Sequence, residues 1–214
     1  MLENFRLVTI QSEWGPIYLH RCARPKSLLS LVAVMPPPRL VVNVGKIVAE
    51  EIGDGGDEAS KSTVYLHRAI VGTSRPLHDA AVLSKWERIR SVKRDGGMIY
   101  EEYLLYLESL WPICRELAVW LLCLIKTRSF RSVGIYCDGG KDRTGVVIAA
   151  LQRLVGTRLK AIVDEFETSN DNLPGAALQV IRDAPPWCRE EVRLLMSVDG
   201  RALRSILSSS PSGS

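Results

Sequence analysis

The sequence is poor in the features that mark membrane, secreted or metal-stapled proteins. Its longest apolar stretch, Leu117 to Ile125, is too short to cross a bilayer. The opening residues, Met1-Leu2-Glu3-Asn4-Phe5-Arg6, lack the basic-then-apolar order of a secretory signal. The five cysteines (Cys22, Cys114, Cys123, Cys137 and Cys188) are scattered, odd in number and without CxxC spacing. That sets aside a zinc site and a disulfide framework, and makes a reducing cytoplasm the default location. Only three histidines occur, His20, His67 and His78, and no spacing among them suggests a metal, so structural or surface roles are expected. The net charge of +4 is mild and spread along the chain; it favours anionic substrates slightly and does not argue for nucleic acid. Internal repeats and interdomain linkers are missing as well.

What is present is ordinary for a globular chain: 46% hydrophobic and 24% charged over 214 residues. That length suits one α/β domain over 1–207, burying ~70% of its unfolded surface. The serine-rich 208–214 reads as a disordered end. Residues 4–11 and 16–21 are expected as short strands around a turn at Gly15-Pro16. A helix should open at Pro25-Lys26-Ser27 and end at Pro36-Pro37-Pro38, followed by a buried strand over 40–44. Residues 50–62 read as a solvated surface loop. Their Gly53–Glu58 stretch lacks the ligand spacing of a calcium loop. A strand over 63–66, a helix over 76–90 and a turn at Asp95-Gly96-Gly97 come next. Glu101 to Lys126 is a long apolar helical region, with Pro112 expected to break or kink it. Further helices are expected over 160–168 and 189–196.

The informative stretch lies at 133–151. An apolar run, Val133-Gly134-Ile135-Tyr136, ends at Cys137. Asp138-Gly139-Gly140-Lys141-Asp142 follows, then Arg143-Thr144-Gly145 and the apolar run Val146 to Leu151. This reads as a buried strand, a tight loop and a helix from Arg143 to Val155 with Gly156 as its C-cap. Such a loop turns successive N–H groups, here from Asp138 through Arg143, toward one point at the positive end of a helix, which makes an anion site. Gly139 and Gly140 permit the close turn.

The helix N-terminus and Arg143 would both lower the pKa of Cys137, giving a thiolate nucleophile. Arg143 suits bidentate capture of phosphoryl oxygens. Thr144 can donate a hydroxyl hydrogen bond to the Cys137 sulfur, and Lys141 adds positive charge at the rim. Asp142 is the nearest acid able to protonate a departing oxygen and then activate water. Its competing role is to cap the helix. Asp79 and Asp95 are fallback acids. Arg21 and Arg24 are candidates for binding a phosphorylated substrate, with solvated charges the expectation, and Cys22 is expected to be an inert buried thiol rather than a disulfide partner of Cys137.

Cys-x5-Arg-Thr-Gly resembles the signature loop of the cysteine-dependent protein tyrosine phosphatases. Gly140-Lys141-Asp142-Arg143-Thr144-Gly145 is similar to the bacterial tyrosine/lipid phosphatase branch in particular. The resemblance implies a three-layer α/β fold, a central, mostly parallel sheet with helices on both faces. It also implies a phosphocysteine intermediate on Cys137, phosphate held by Arg143, Asp142 as the acid, and no metal cofactor. Two flanking stretches agree: Tyr18-Leu19-His20-Arg21-Cys22-Ala23 looks like the family's Tyr-Arg-Ser segment, and 163–170 looks like its Asp-Tyr-x-x-(Ser/Thr)-Asn segment. Two positions depart from the pattern. Tyr136 stands where the family usually has a histidine that orders and acidifies the cysteine. Asp138 adds a negative charge that opposes both thiolate and phosphate unless it points away.

A nucleotide-binding P-loop is excluded, because Lys141 is followed by Asp142 and Ile135 occupies the first glycine position. A thiol oxidoreductase fits the five-residue loop and arginine less well than a tetrahedral dianion does. The expected activity is metal-independent hydrolysis of a phosphate monoester, either phosphotyrosine or a small phosphorylated metabolite (a sugar, nucleoside or inositol phosphate), releasing inorganic phosphate. A phosphate-binding module without turnover is the alternative.

Overall fold

The computed structural model describes residues 2–26, 30–31, 33–45, 63–70 and 98–209. The surface loop over 50–62, the helix over 76–90, the turn at 95–97, and with them His78, Asp79 and Asp95, lie outside the described residues. So do Ser27, Leu28, Leu29 and Val32 of the helix expected from Pro25, whose Ser30 and Leu31 are helical.

The chain opens with a hairpin, β1 (Arg6–Ser12) and β2 (Gly15–Ala23), antiparallel with Ser12 opposite Gly15. Gly15 has a φ of +98°, which closes the two-residue turn, and the Ser12 hydroxyl donates to its carbonyl at 2.7 Å. β3 (Leu40–Asn43), β4 (Val64–His67) and β5 (Ser132–Cys137) complete a five-stranded sheet in the order β1-β2-β5-β3-β4. Every pairing except β1–β2 is parallel. The expected central, mostly parallel sheet is present, with β5 in its middle. All six β5 residues are buried, which matches their near-continuous apolar run.

The two faces of the sheet differ. Val133, Ile135 and Cys137 join the main core with α1 (Met98–Arg128) and α2 (Asp142–Leu154). Tyr136 points to the other face, in a smaller cluster with Cys22, Leu31 and Val41, covered by Leu2 and Phe5. Pro112 does not break α1, which runs unbroken for 31 residues. Leu107, Leu110, Cys114, Ala118, Leu121 and Ile125 are all fully buried at helical spacing on both sides of it. Each buried leucine or isoleucine contributes about 1.5–3 kcal/mol, so together they outweigh the ~3 kcal/mol that an interior proline costs.

After α2 come α3 (Leu159–Glu167), a 3₁₀ turn (Thr168–Asn170), α4 (Gly175–Asp183), a second turn (Pro186–Cys188), α5 (Arg189–Met196) and α6 (Gly200–Ser209). Two of these, α4 and α6, were not foreseen. Both open on glycine, and α6 ends in serines. Yet Ala202, Leu203, Ile206 and Leu207 form a buried stripe at helical spacing that packs α6 into the main core. The helix continues through Ser208 and Ser209, into the stretch read from the sequence as a disordered end.

Candidate active site

β5 ends at Cys137 and α2 begins at Asp142, so the four residues between them turn the chain at the carboxyl end of the central strand, where α/β sheets place ligands. The loop is pressed against β2. Gly140 has a φ of +61°, and a Cβ there would fall 2.2 Å from the Cys22 carbonyl carbon. Only glycine fits. Gly139 is different: its nearest neighbour to an added Cβ is 3.7 Å away.

The loop carbonyls are tied from outside. Asn4 Nδ2 donates to the carbonyls of Gly139 (3.1 Å) and Gly140 (2.9 Å), and Arg21 Nη2 donates to those of Gly140 (3.0 Å) and Lys141 (3.2 Å). Fixing carbonyls on the outer side orients the intervening N–H groups toward the inside, as in an anion nest. The first N–H groups of α2, which have no helical carbonyl to take them, add to it.

Arg21 is therefore not the solvated charge expected from the sequence. It is fully buried at 0% exposure. Its Nη1 donates to Glu165 Oε1 at 2.8 Å and its Nη2 to Ser169 Oγ at 2.8 Å. Glu165 Oε1 also pairs with Arg6 Nη2 at 3.1 Å. Burial and the neighbouring Arg21 bring the Arg6 guanidinium down to about 10, with Glu165 and Asp171 partly offsetting them. The two flanking stretches of the sequence, one carrying Arg21 and the other Glu165 and Ser169, thus meet beneath the loop. That coincidence was the available signal for Arg21; Asn4 had none.

A second cluster sits at the mouth. The Asp138 carboxylate accepts from Arg24 Nη2 at 2.5 Å through Oδ1 and from Arg143 Nη2 through Oδ2. Burial alone would raise the Asp138 pKa, but the two arginine hydrogen bonds hold it below the usual carboxylate range. For Arg143 burial again opposes the charge, while Cys137 and Asp138 nearby raise its pKa overall. Arg24, like Arg21, is not a solvated charge. Its backbone N–H also reaches the Asp138 carbonyl at 3.3 Å.

Of the other expected site residues, Cys137 is 2% exposed at the base of the loop. Thr144 is buried, and its hydroxyl finds no hydrogen-bond partner among the described residues, the Cys137 sulfur included. Lys141 turns away: its Nζ donates to the Met196 carbonyl at 2.5 Å and lies 3.5 Å from Asp142 Oδ2. Asp142 is the first residue of α2 rather than its cap. Its Oδ1 accepts from the Tyr103 hydroxyl of α1 at 2.8 Å, a contact nothing in the sequence foretold. Cys22 and Cys137 belong to clusters on opposite faces of the sheet, and both are free thiols. Burial and the nearby Cys137 push the Cys22 thiol up to about 12, against the pull of Arg21. His20 is structural, with Nε2 2.9 Å from Ser132 Oγ and its ring stacked on Phe5.

Among the described residues, no group of three or more His, Cys, Asp or Glu is placed to hold a metal ion, and no helix is long and apolar enough to cross a membrane. A cavity of about 500 Å³ opens elsewhere, between Leu173, Leu178, Ile181, Arg189 and Arg193, sharing no residue with the loop. The loop and its supports, and not this cavity, bring Cys137, Arg143 and Asp142 together.

A family model described as "Tyrosine phosphatase family" matches residues 63–211, well over half of the chain. No curated protein matches the sequence.

Proposed function

Because the chain belongs to the tyrosine phosphatase family, we propose that it hydrolyses phosphate monoesters through a phosphocysteine on Cys137, without a metal. The observation that carries this reading is the loop itself, with Cys137 at its base, its carbonyls tied outward and Arg143 at its mouth. In the first step the Cys137 thiolate attacks phosphorus in line, the P–O ester bond breaks, and the departing oxygen takes a proton from Asp142. In the second, the Asp142 carboxylate takes a proton from water as that water attacks phosphorus. The P–S bond breaks, the thiolate returns and inorganic phosphate leaves. Arg143 and the loop N–H groups carry the charge that spreads over the phosphoryl oxygens. Tyr103 holds one Asp142 oxygen, and Lys141 Nζ lies 3.5 Å from the other. Lys141 acts on Asp142 through its charge, not on substrate.

The substrate is phosphotyrosine or a small phosphorylated metabolite such as a sugar, nucleoside or inositol phosphate. A panel of these against phosphopeptides separates the two classes. Hydrolysis of p-nitrophenyl phosphate, measured with chelator present across pH 5–8, tests the chemistry. The wild type should release product and Cys137→Ser should not. Product from neither protein would overturn the enzyme reading in favour of a phosphate-binding module without turnover.

A further inference from the structure

Asp138 lies where a phosphatase loop should have no anion, and the geometry gives it a use. Its two oxygens each engage a separate guanidinium, Arg24 Nη2 on Oδ1 and Arg143 Nη2 on Oδ2. Arg24 is not a chance neighbour. The β2–β5 register places Ala23 opposite Cys137, so Arg24 is the next residue beyond the nucleophile on the adjoining strand. Its backbone N–H then ties to the Asp138 carbonyl at 3.3 Å. On the opposite side Gly45 comes close enough that a Cβ there would lie 3.2 Å from the Asp138 N and Oδ1, so the carboxylate has little room toward β3. Its side chain is nevertheless 43% exposed, which leaves it a way out toward solvent.

We propose that Asp138 is a built-in stand-in for the substrate's phosphoryl group, and that Arg24 is a second phosphate-binding arginine revealed by it. The proposal rests on the phosphatase reading above. An anion between two guanidinium groups offsets their mutual repulsion, and here Asp138 supplies it. A phosphoryl dianion has one more terminal oxygen than a carboxylate and twice its charge. It can therefore reproduce both arginine contacts and still present an oxygen to the loop N–H groups. The exchange is anion for anion: Asp138 swings toward solvent as phosphate enters. Its carboxylate competes for the two arginines, so a dianion displaces it more readily than a monoanion such as a sulfate ester does.

The test is calorimetric titration of inorganic phosphate into the full chain. Asp138→Asn should tighten phosphate binding at least threefold. In that Asp138→Asn background, Arg24→Gln should weaken it by about tenfold, the scale of one charge-assisted contact. The background matters, because an arginine that serves only to hold Asp138 has nothing left to do there. If Arg24→Gln leaves the dissociation constant unchanged in Asp138→Asn protein while Arg143→Gln still abolishes binding, Arg24 is not a phosphate ligand and the proposal fails with the phosphatase reading intact. Should Arg143→Gln bind phosphate as the wild type does, the phosphate site itself is lost. Unchanged binding on Asp138→Asn overturns the stand-in role. Arg24→Lys, which keeps the charge and loses the fork, carries the same test if Arg24→Gln does not fold. It should bind phosphate with intermediate strength, and equality with the parent would overturn the assignment.

Discussion

Two arginine–carboxylate–arginine groups flank the loop, and they are opposites. Beneath it, Arg6 and Arg21 share the single oxygen Glu165 Oε1, and Arg21 is wholly buried. At the mouth, Arg24 and Arg143 take one oxygen each from Asp138, whose side chain is 43% exposed. The lower group is locked by hydrogen bonds from Arg21 to two loop carbonyls and to Ser169. The upper one has an exit to water. A buried ion pair cannot be broken without stranding a charge in low dielectric, whereas an exposed pair exchanges partners at little cost. The same chemical motif thus serves once as scaffold and once as a replaceable occupant.

The sharpest way to break this contrast is at the joint between the two groups. Gly140→Ala should be the most damaging change, because the new methyl meets the Cys22 backbone and the φ of +61° is strained for alanine. A loss of about 4 kcal/mol or more is expected, with no measurable turnover. Gly139→Ala, with 3.7 Å of clearance, should cost under ~0.5 kcal/mol in the same urea titration. Equal effects would mean that the loop is not pressed on β2.

Next come the arginines themselves. Arg21→Met should destabilise by about 3 kcal/mol, or roughly 6–12 °C in Tm, and take activity with it. Arg143→Met should abolish turnover yet shift stability by under ~1 kcal/mol, since its partner Asp138 is exposed. Thermal melts paired with activity assays decide this, and the comparison collapses if the two melt alike.

A smaller effect is expected at Tyr103. Asp142→Asn should slow esters with poor leaving groups far more than p-nitrophenyl phosphate. Tyr103→Phe should repeat that signature at about fivefold, the scale of one ~1 kcal/mol hydrogen bond. Equal losses on activated and unactivated esters would deny Tyr103 its hold on the acid.

The mildest prediction concerns acidification. Burial holds the His20 pKa below its ordinary value. The unfolded chain then binds a proton before the folded one does, so the stability His20 provides is complete above pH ~6.5 and drains away as pH falls below it. Asp138, held low by its arginines, keeps its contribution until pH falls under the ordinary value of 3.8. Melts from pH 7.5 down to 3 should show an early limb that His20→Gln removes. A flat profile between pH 7 and 5 would contradict the buried, neutral imidazole.

The sequence carried much of this because strand, loop and helix signals are local. β5 and α5 fall on their expected residues, and α2 and α3 are displaced by a single residue. What escaped was long-range. Asn4 reaches a carbonyl 135 positions away, Arg21 reaches Glu165 144 positions away, and Tyr103 meets Asp142 across the α1–α2 interface. No local pattern distinguishes an arginine bound for a buried carboxylate from one bound for water; Arg21 and Arg24 look alike on the page. Pro112 misled for the opposite reason, since a strong local rule was overruled by the core packed around it.

The parallel pairing of β2 with β5 has a consequence in time as well as in space. β2 leaves the ribosome as part of a local hairpin that can form at once, but the strand that covers its other edge arrives only after α1 has been made. Until then that edge presents unpaired N–H and C=O groups, a template for pairing with another chain. Closing so long a loop is entropically slow relative to forming hairpins and helices. The step that assembles the loop after Cys137 is therefore also the step that covers this edge, and a chain halted before Ser132 would have neither.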